Sequence, residues 1–253
     1  MTAFGIVLAL VVGLVLGLLG GGGSLLAVPI FLYVFHVEPK SAIAMSLVVV
    51  GMSALVGFLT HWRQGTVSLR IATMFGSLAM VGAFAGARVA RHVPARVQLG
   101  LFTAFAITAA VLMLRDSRKP ATRVSDDENH QPHFSPLLGA EALAVGALTA
   151  LIGAGGGFII VPALVLVADV PVKAAVGSSL LIIAMNATSA VIGYHGQLAF
   201  DWRLVGWFTG IAAVGAVIGT RLIRRLPAAR IKQAFAIMIL VLGTYLVIRT
   251  LTS

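Results

Sequence analysis

The chain has 253 residues, 59% of them hydrophobic and 10% charged, with a formal charge of +10. A mean hydropathy of +1.04 lies outside the range of soluble domains, which excludes reading the positive charge as the footprint of a nucleic-acid binder. Lys and Arg instead gather at the ends of long uncharged tracts, where they snorkel to lipid headgroups and set orientation.

Eight tracts contain no Asp, Glu, Lys or Arg: residues 3–35, 41–60, 71–87, 97–114, 142–168, 174–194, 204–220 and 233–248. About 20 apolar residues cross a bilayer as a helix, and only helices or closed barrels satisfy their backbone groups in lipid. The tracts lack strand alternation, so the sequence predicts an all-α polytopic membrane protein. Met1 and Thr2 supply no basic n-region, and the glycine run in the first tract is no cleavage site, so that tract is read as mature protein.

Residues 3–35 are too long for one ordinary span and too short for two. As a helix they would reach about 50 Å at 1.5 Å per residue, against a hydrocarbon core of about 30 Å. Gly20, Gly21, Gly22 and Gly23 stand in the middle, each costing about 1 kcal/mol relative to Ala in a helix. The expectation is a helix broken at membrane depth, where irregular backbone survives only inside protein or beside a water-filled cavity. The N–H groups and positive dipole end of the second piece form an anion site, to which Ser24 adds a hydroxyl. Close packing needs a glycine every fourth residue, which suits Gly82-x-x-x-Gly86 but not four in a row.

The second tract carries Ser46 and Ser53, seven residues apart and so on one helix face. Lining a substrate path and bonding a neighbouring helix both fit these hydroxyls. Lys40 stands just before them, either drawing anions to a cavity mouth or anchoring the helix start. His61 and His195 stand near equivalent loop positions, where an imidazole with its ordinary pKa would titrate near neutrality. The third tract runs into Arg88, for which a gate and simple snorkelling are the two readings.

Residues 115–136 change character abruptly, with charges of both signs, three prolines and almost nothing apolar. They read as a solvated linker between residues 1–114 and 137–253. His130 and His133 near Asp126, Asp127 and Glu128 lack the fixed cage a metal site requires.

Beyond the linker the chain repeats itself at an offset of 133 positions. Gly20, Gly22, Gly23 and Pro29 fall on Gly153, Gly155, Gly156 and Pro162, and Gly157 replaces Ser24. Lys40 falls on Lys173, Ser46 on Ser179, Ser53 on Asn186, and Arg88 on Arg221. Chance overlap of apolar segments yields shared Leu and Val, not matched Gly, Pro, Lys and Arg in one register. Two homologous four-segment halves with Gly-broken helices are implied, the pattern of a transporter built from repeats. Ser178 and Ser179 precede Asn186 on one tract, and Glu141, one turn past the linker, is a candidate proton carrier. If each broken tract folds back to its own side, the halves are inverted and Lys plus Arg divide 12 to 6 across the membrane. Parallel halves divide them 10 to 8, so the positive-inside rule favours inversion. Both arrangements put the termini outside and the chain in the cell inner membrane.

The doubled glycine-run-then-proline motif, Asn186-Ala187-Thr188-Ser189, and Gly86-Ala87-Arg88 with Gly219-Thr220-Arg221 resemble the TauE/SafE (TSUP, sulfite exporter) family of membrane anion transporters. The resemblance covers nearly the whole chain except the linker. It implies about eight membrane segments from a duplicated half. It also implies ATP-independent transport of sulfite, sulfoacetate or related small acids.

These readings converge on a secondary transporter, in the exporting direction, with a small anion held at the two breaks. The binding residues expected are Gly20, Gly21, Gly22, Gly23, Ser24, Ser46, Ser53, Gly153, Gly155, Gly156, Gly157, Ser178, Ser179 and Asn186. Lys40, Lys173, Arg88 and Arg221 are candidates for gating or anion attraction. A passive anion channel of the same fold is the alternative. A membrane enzyme is disfavoured, because the spans hold no Cys, no HExxH and no His–acid constellation, and no Walker motif supplies ATP. No cofactor or metal is expected; the partners are the anion and lipid, and a homodimer is left open.

Overall fold

The computed structural model describes residues 3–101, 103, 104, 108, 136–153, 156–166, 170–194 and 201–223. Among them run α1 (Ala3–Leu19), α2 (Gly22–Tyr33), α3 (Pro39–Arg63), α4 (Leu69–Ala90), α5 (Pro136–Ile152), α6 (Gly157–Leu166), α7 (Val172–Tyr194) and α8 (Trp202–Leu222). Residues 95–101 are helical too, and no strand occurs among the described residues. The linker before Pro136, the tract 233–248, Gly155 and His195 lie outside the described residues. The protein is an all-helical polytopic membrane protein. Four helices, α3, α4, α7 and α8, are long and apolar enough to cross a bilayer.

Local chemistry sets the helix ends. Pro39 opens α3, where its missing N–H costs nothing and its fixed φ suits the first turn. The Asp201 carboxylate caps α8, accepting from the N–H groups of Arg203 and Leu204 at 3.1 Å each. At the far end of α4, Lys40 Nζ donates to the Arg91 carbonyl at 3.1 Å.

The halves are interleaved. The first helix of each half packs on the last long helix of the other: α1 lies along α8, and α5 along α4. Glycine makes both pairings possible. A side chain at Gly13 would overlap the Ala212 carbonyl, and one at Gly146, its counterpart, would overlap the Ala79 carbonyl. Gly82, Gly86, Gly215 and Gly219 sit equally close to facing backbone. With no water to expel, close van der Waals packing of this kind is what holds helices together in lipid.

At the centre α3 and α7 bury most of their length, whereas α4 and α8 bury less than half. Gly51 of α3 faces Ala187 of α7, and Gly57 faces Leu180, so these corresponding helices run antiparallel. Their crossing falls beside Ser53 and Asn186, the pair related by the repeat.

Replacing Gly13 or Gly146 by Val is expected to cost about 1–3 kcal/mol through overpacking against backbone. Gly210→Ala, where a side chain meets open space, should stay within about 0.5 kcal/mol of the parent. Thermal unfolding of the detergent-solubilised protein measures both.

Candidate functional site

Both glycine runs interrupt their helices. In the first half the interruption is confined to Gly20 and Gly21, while Gly22 and Gly23 already form the first turn of α2. Gly20 has φ of +67° and its counterpart Gly153 has φ of +72°, backbone that only glycine adopts at low cost. In the second half Gly156, at φ +77°, directly precedes α6, which starts at Gly157. The two interruptions meet: Gly21 and Gly157 lie backbone against backbone, with no space for a side chain on either. Gly20 to Gly23, Ser24, Gly153, Gly156 and Gly157 are all buried.

A broken helix orphans carbonyls at its end, and burial makes each one costly unless another group donates to it. Two matched sets of donors supply that need. Ser46 Oγ lies 2.8 Å from the Gly153 oxygen and 2.7 Å from the Ile43 oxygen. Ser179 Oγ lies 2.6 Å from the Gly20 oxygen and 2.8 Å from the Val176 oxygen. Each serine therefore serves the interruption of the opposite half. Three residues earlier the pattern recurs within each half. His61 Nε2 stands 3.5 Å from the Gly17 oxygen, and the Tyr194 hydroxyl donates to the Ala150 oxygen at 3.1 Å. His61 and Tyr194 correspond under the repeat, as do Gly17 and Ala150.

His61 is not in a loop, as its place between two uncharged tracts suggested. It closes α3, fully buried, with Nδ1 2.8 Å from Thr66 Oγ1. The offset of 133 already pairs it with Tyr194 rather than His195.

The remaining polar candidates divide. Ser24 donates to the Gly21 oxygen at 2.6 Å, closing the first turn of α2. Ser178 Oγ accepts from the Ser68 N–H at 2.9 Å, fastening α7 to the start of α4. Ser53 and Asn186 behave differently: they are 0% and 2% exposed, yet Ser53 Oγ, Asn186 Oδ1 and Asn186 Nδ2 have no hydrogen-bond partner among the described residues. Buried polar atoms without partners cost about 1–3 kcal/mol each, so the pair needs water or a ligand. Asn186 stands one turn along α7 from Ile183, whose Cδ1 packs against Gly157 at the start of α6.

The charged candidates sit away from this centre. Arg88 is exposed, with its guanidinium 4.9 Å from the Phe84 ring centroid, and Arg221 and Lys173 are exposed as well. Lys40 holds the end of α4. Glu141 is half-buried on α5, with Oε2 lacking a partner. Among the described residues no cluster of three His, Cys, Asp or Glu side chains could hold a metal.

Ser46→Ala and Ser179→Ala each strand a buried carbonyl of the other half. Each is expected to lower stability by about 1–2 kcal/mol, read as a lower unfolding midpoint in detergent. Unchanged midpoints in both variants would contradict this role.

Comparison with known proteins follows the same outline. The profile described as "Sulfite exporter TauE/SafE" matches residues 5–246. A "Probable membrane transporter protein" of Xylella fastidiosa is 33% identical over 247 residues, covering 96% of this chain and 93% of that protein. The "Probable membrane transporter protein YdhB" of Bacillus subtilis is 25% identical over 231 residues, covering 90% and 93%. No solved structure matches the chain. A match spanning nearly every helix, on a frame of two interleaved glycine-broken halves, makes this chain a membrane transporter of the TauE/SafE family.

Proposed function

We propose that the protein is a secondary transporter exporting small anions, sulfite and related sulfur oxyanions or organic acids among them. The supporting observation is the meeting of the two helix interruptions, with Asn186 one turn along α7 from the Ile183 side chain that packs against Gly157. Helix starts leave their first N–H groups, here those of Gly22, Gly23 and Gly157, without an acceptor in their own helices, and the dipole of each helix is positive at that end. An anion bound at this junction accepts from Gly22, Gly23 and Gly157 N–H groups and from the Ser53 hydroxyl and Asn186 amide. The family's printed description as a sulfite exporter supports the substrate class.

The antiparallel crossing of α3 and α7 supports inverted halves related by an axis in the membrane plane. In that arrangement the linker lies in the cytoplasm and the termini lie outside. The halves rock about the crossing, exposing the junction to each side in turn. No Walker motif is present in the chain, so the substrate gradient, the membrane potential or a coupled ion drives the cycle.

Flux into proteoliposomes, measured for sulfite, sulfoacetate, taurine, sulfate and acetate, tests the proposal. Ser53→Ala and Asn186→Leu are each expected to reduce flux roughly fivefold, the worth of about one hydrogen bond, with the protein still inserted. Gly22→Val and Gly155→Val are expected to abolish it. Counterflow of labelled substrate distinguishes a carrier from a pore, which shows none. Normal flux in all four variants removes the site.

For topology, a reporter between Arg118 and His133 is expected to be cytoplasmic. An external location rejects the inverted arrangement.

A further inference from the structure

The charge inventory of the buried centre says which anions it suits. Among the described residues the buried polar side chains are Ser24, Ser41, Ser46, Ser53, His61, Gln98, Thr149, Ser178, Ser179, Asn186, Ser189 and Thr220, with no Lys or Arg. Arg88, Arg221 and Lys173 face outward, and Lys40 is turned to the Arg91 carbonyl. Among the described residues, positive charge at the junction therefore comes from backbone alone. Each helix N-terminus is equivalent to about +0.5 elementary charge, so α2 and α6 together offer about +1. Both exceed the length of a single turn, with 12 and 10 residues.

The unpartnered Ser53 and Asn186 side chains add dipoles but no net charge. They are an independent sign of a ligand, being buried and without a partner among the described residues, with Asn186 one turn along α7 from the Ile183 side chain at Gly157. A singly charged anion is balanced by the two helix ends and bonded by these side chains. A dianion leaves about one charge uncompensated. The cost of carrying an ion into a low-dielectric interior also rises with the square of its charge, roughly fourfold from one to two.

We infer that the junction carries monovalent anions and rejects divalent ones. For sulfur substrates this selects bisulfite over sulfite and simple sulfonates over sulfate. The inference rests on the anion-transport proposal above.

The test uses the full-length protein in proteoliposomes, with protein-free vesicles as the blank. Methanesulfonate and sulfate form a pair with similar tetrahedral sulfur centres and different charge. Methanesulfonate flux is expected to exceed sulfate flux at least about tenfold at equal concentration. Sulfite flux is expected to fall as pH rises through the ionisation of bisulfite. Methanesulfonate serves as the control across the same buffers, because its charge does not change.

That control is needed because His61 is the one titratable group among those buried polar residues. It faces the Gly17 carbonyl of α1, Thr66 of the following turn and Gly177 of α7, with Arg63 at the end of its own helix and exposed Lys173 on α7. A pH effect arising in the protein moves both substrates; one arising in the ligand moves sulfite alone. Sulfate flux comparable to methanesulfonate flux overturns the charge selection while leaving anion transport intact. Absence of flux for methanesulfonate, sulfite, acetate and sulfate alike overturns the transport reading itself.

Discussion

A backbone carbonyl released in the middle of a membrane protein has no water to turn to, and the rest of this structure follows from that constraint. Breaking α1 and α5 frees Gly17, Gly20, Ala150 and Gly153 oxygens among buried apolar side chains. Ser179, Ser46 and Tyr194 donate to the Gly20, Gly153 and Ala150 oxygens, and His61 Nε2 stands 3.5 Å from that of Gly17. An unmet carbonyl at any of these places costs about 1–3 kcal/mol, a sizeable share of the roughly 5–15 kcal/mol that holds a typical fold together. With the oxygens at the helix ends engaged, the first N–H groups of α2 and α6 are the donors on which the proposed anion site rests.

Much of this architecture was legible in the sequence. The uncharged tracts mark the helices, and the overlong first tract marks its own interruption. The offset of 133 identifies which residues play equivalent parts. What periodicity does not reveal is who reaches whom. Ser46 and Ser179 carry the same one-face spacing whether they line a path or hold a carbonyl of the opposite half. Only the interleaving of the halves decides this, through glycine contacts such as Gly13 on Ala212 that no single helix encodes. The same holds for Ser53 and Asn186, which share the register of the serines but emerge without partners. Four consecutive glycines also overstated the gap, because Gly22 and Gly23 are stabilised as a first helical turn by Ser24 bonding back to Gly21.

The two halves are not equal at the centre, and the inequality follows from residue chemistry. Ser24 closes the start of α2, whereas α6 begins at Gly157, which has no side chain. Ser53 offers one hydroxyl where Asn186 offers an amide with two donors and a carbonyl. His61 stands where Tyr194 stands in the other half. At the proposed site a ligand would meet different groups from each side, so a duplicated frame presents a surface without true twofold character. Departures of this kind allow the two ends of a transport cycle to differ in energy.

The serine contacts also bear on how the chain is made. The Gly20 oxygen is satisfied by a residue 159 positions later, and Gly153 by one 107 positions earlier. While the ribosome is still extending the second half, the first therefore sits in the bilayer with a polar atom waiting for its partner. The first repeat is an unfinished object until α7 arrives, and the interval in which it must be sheltered is set by translation of more than half the protein.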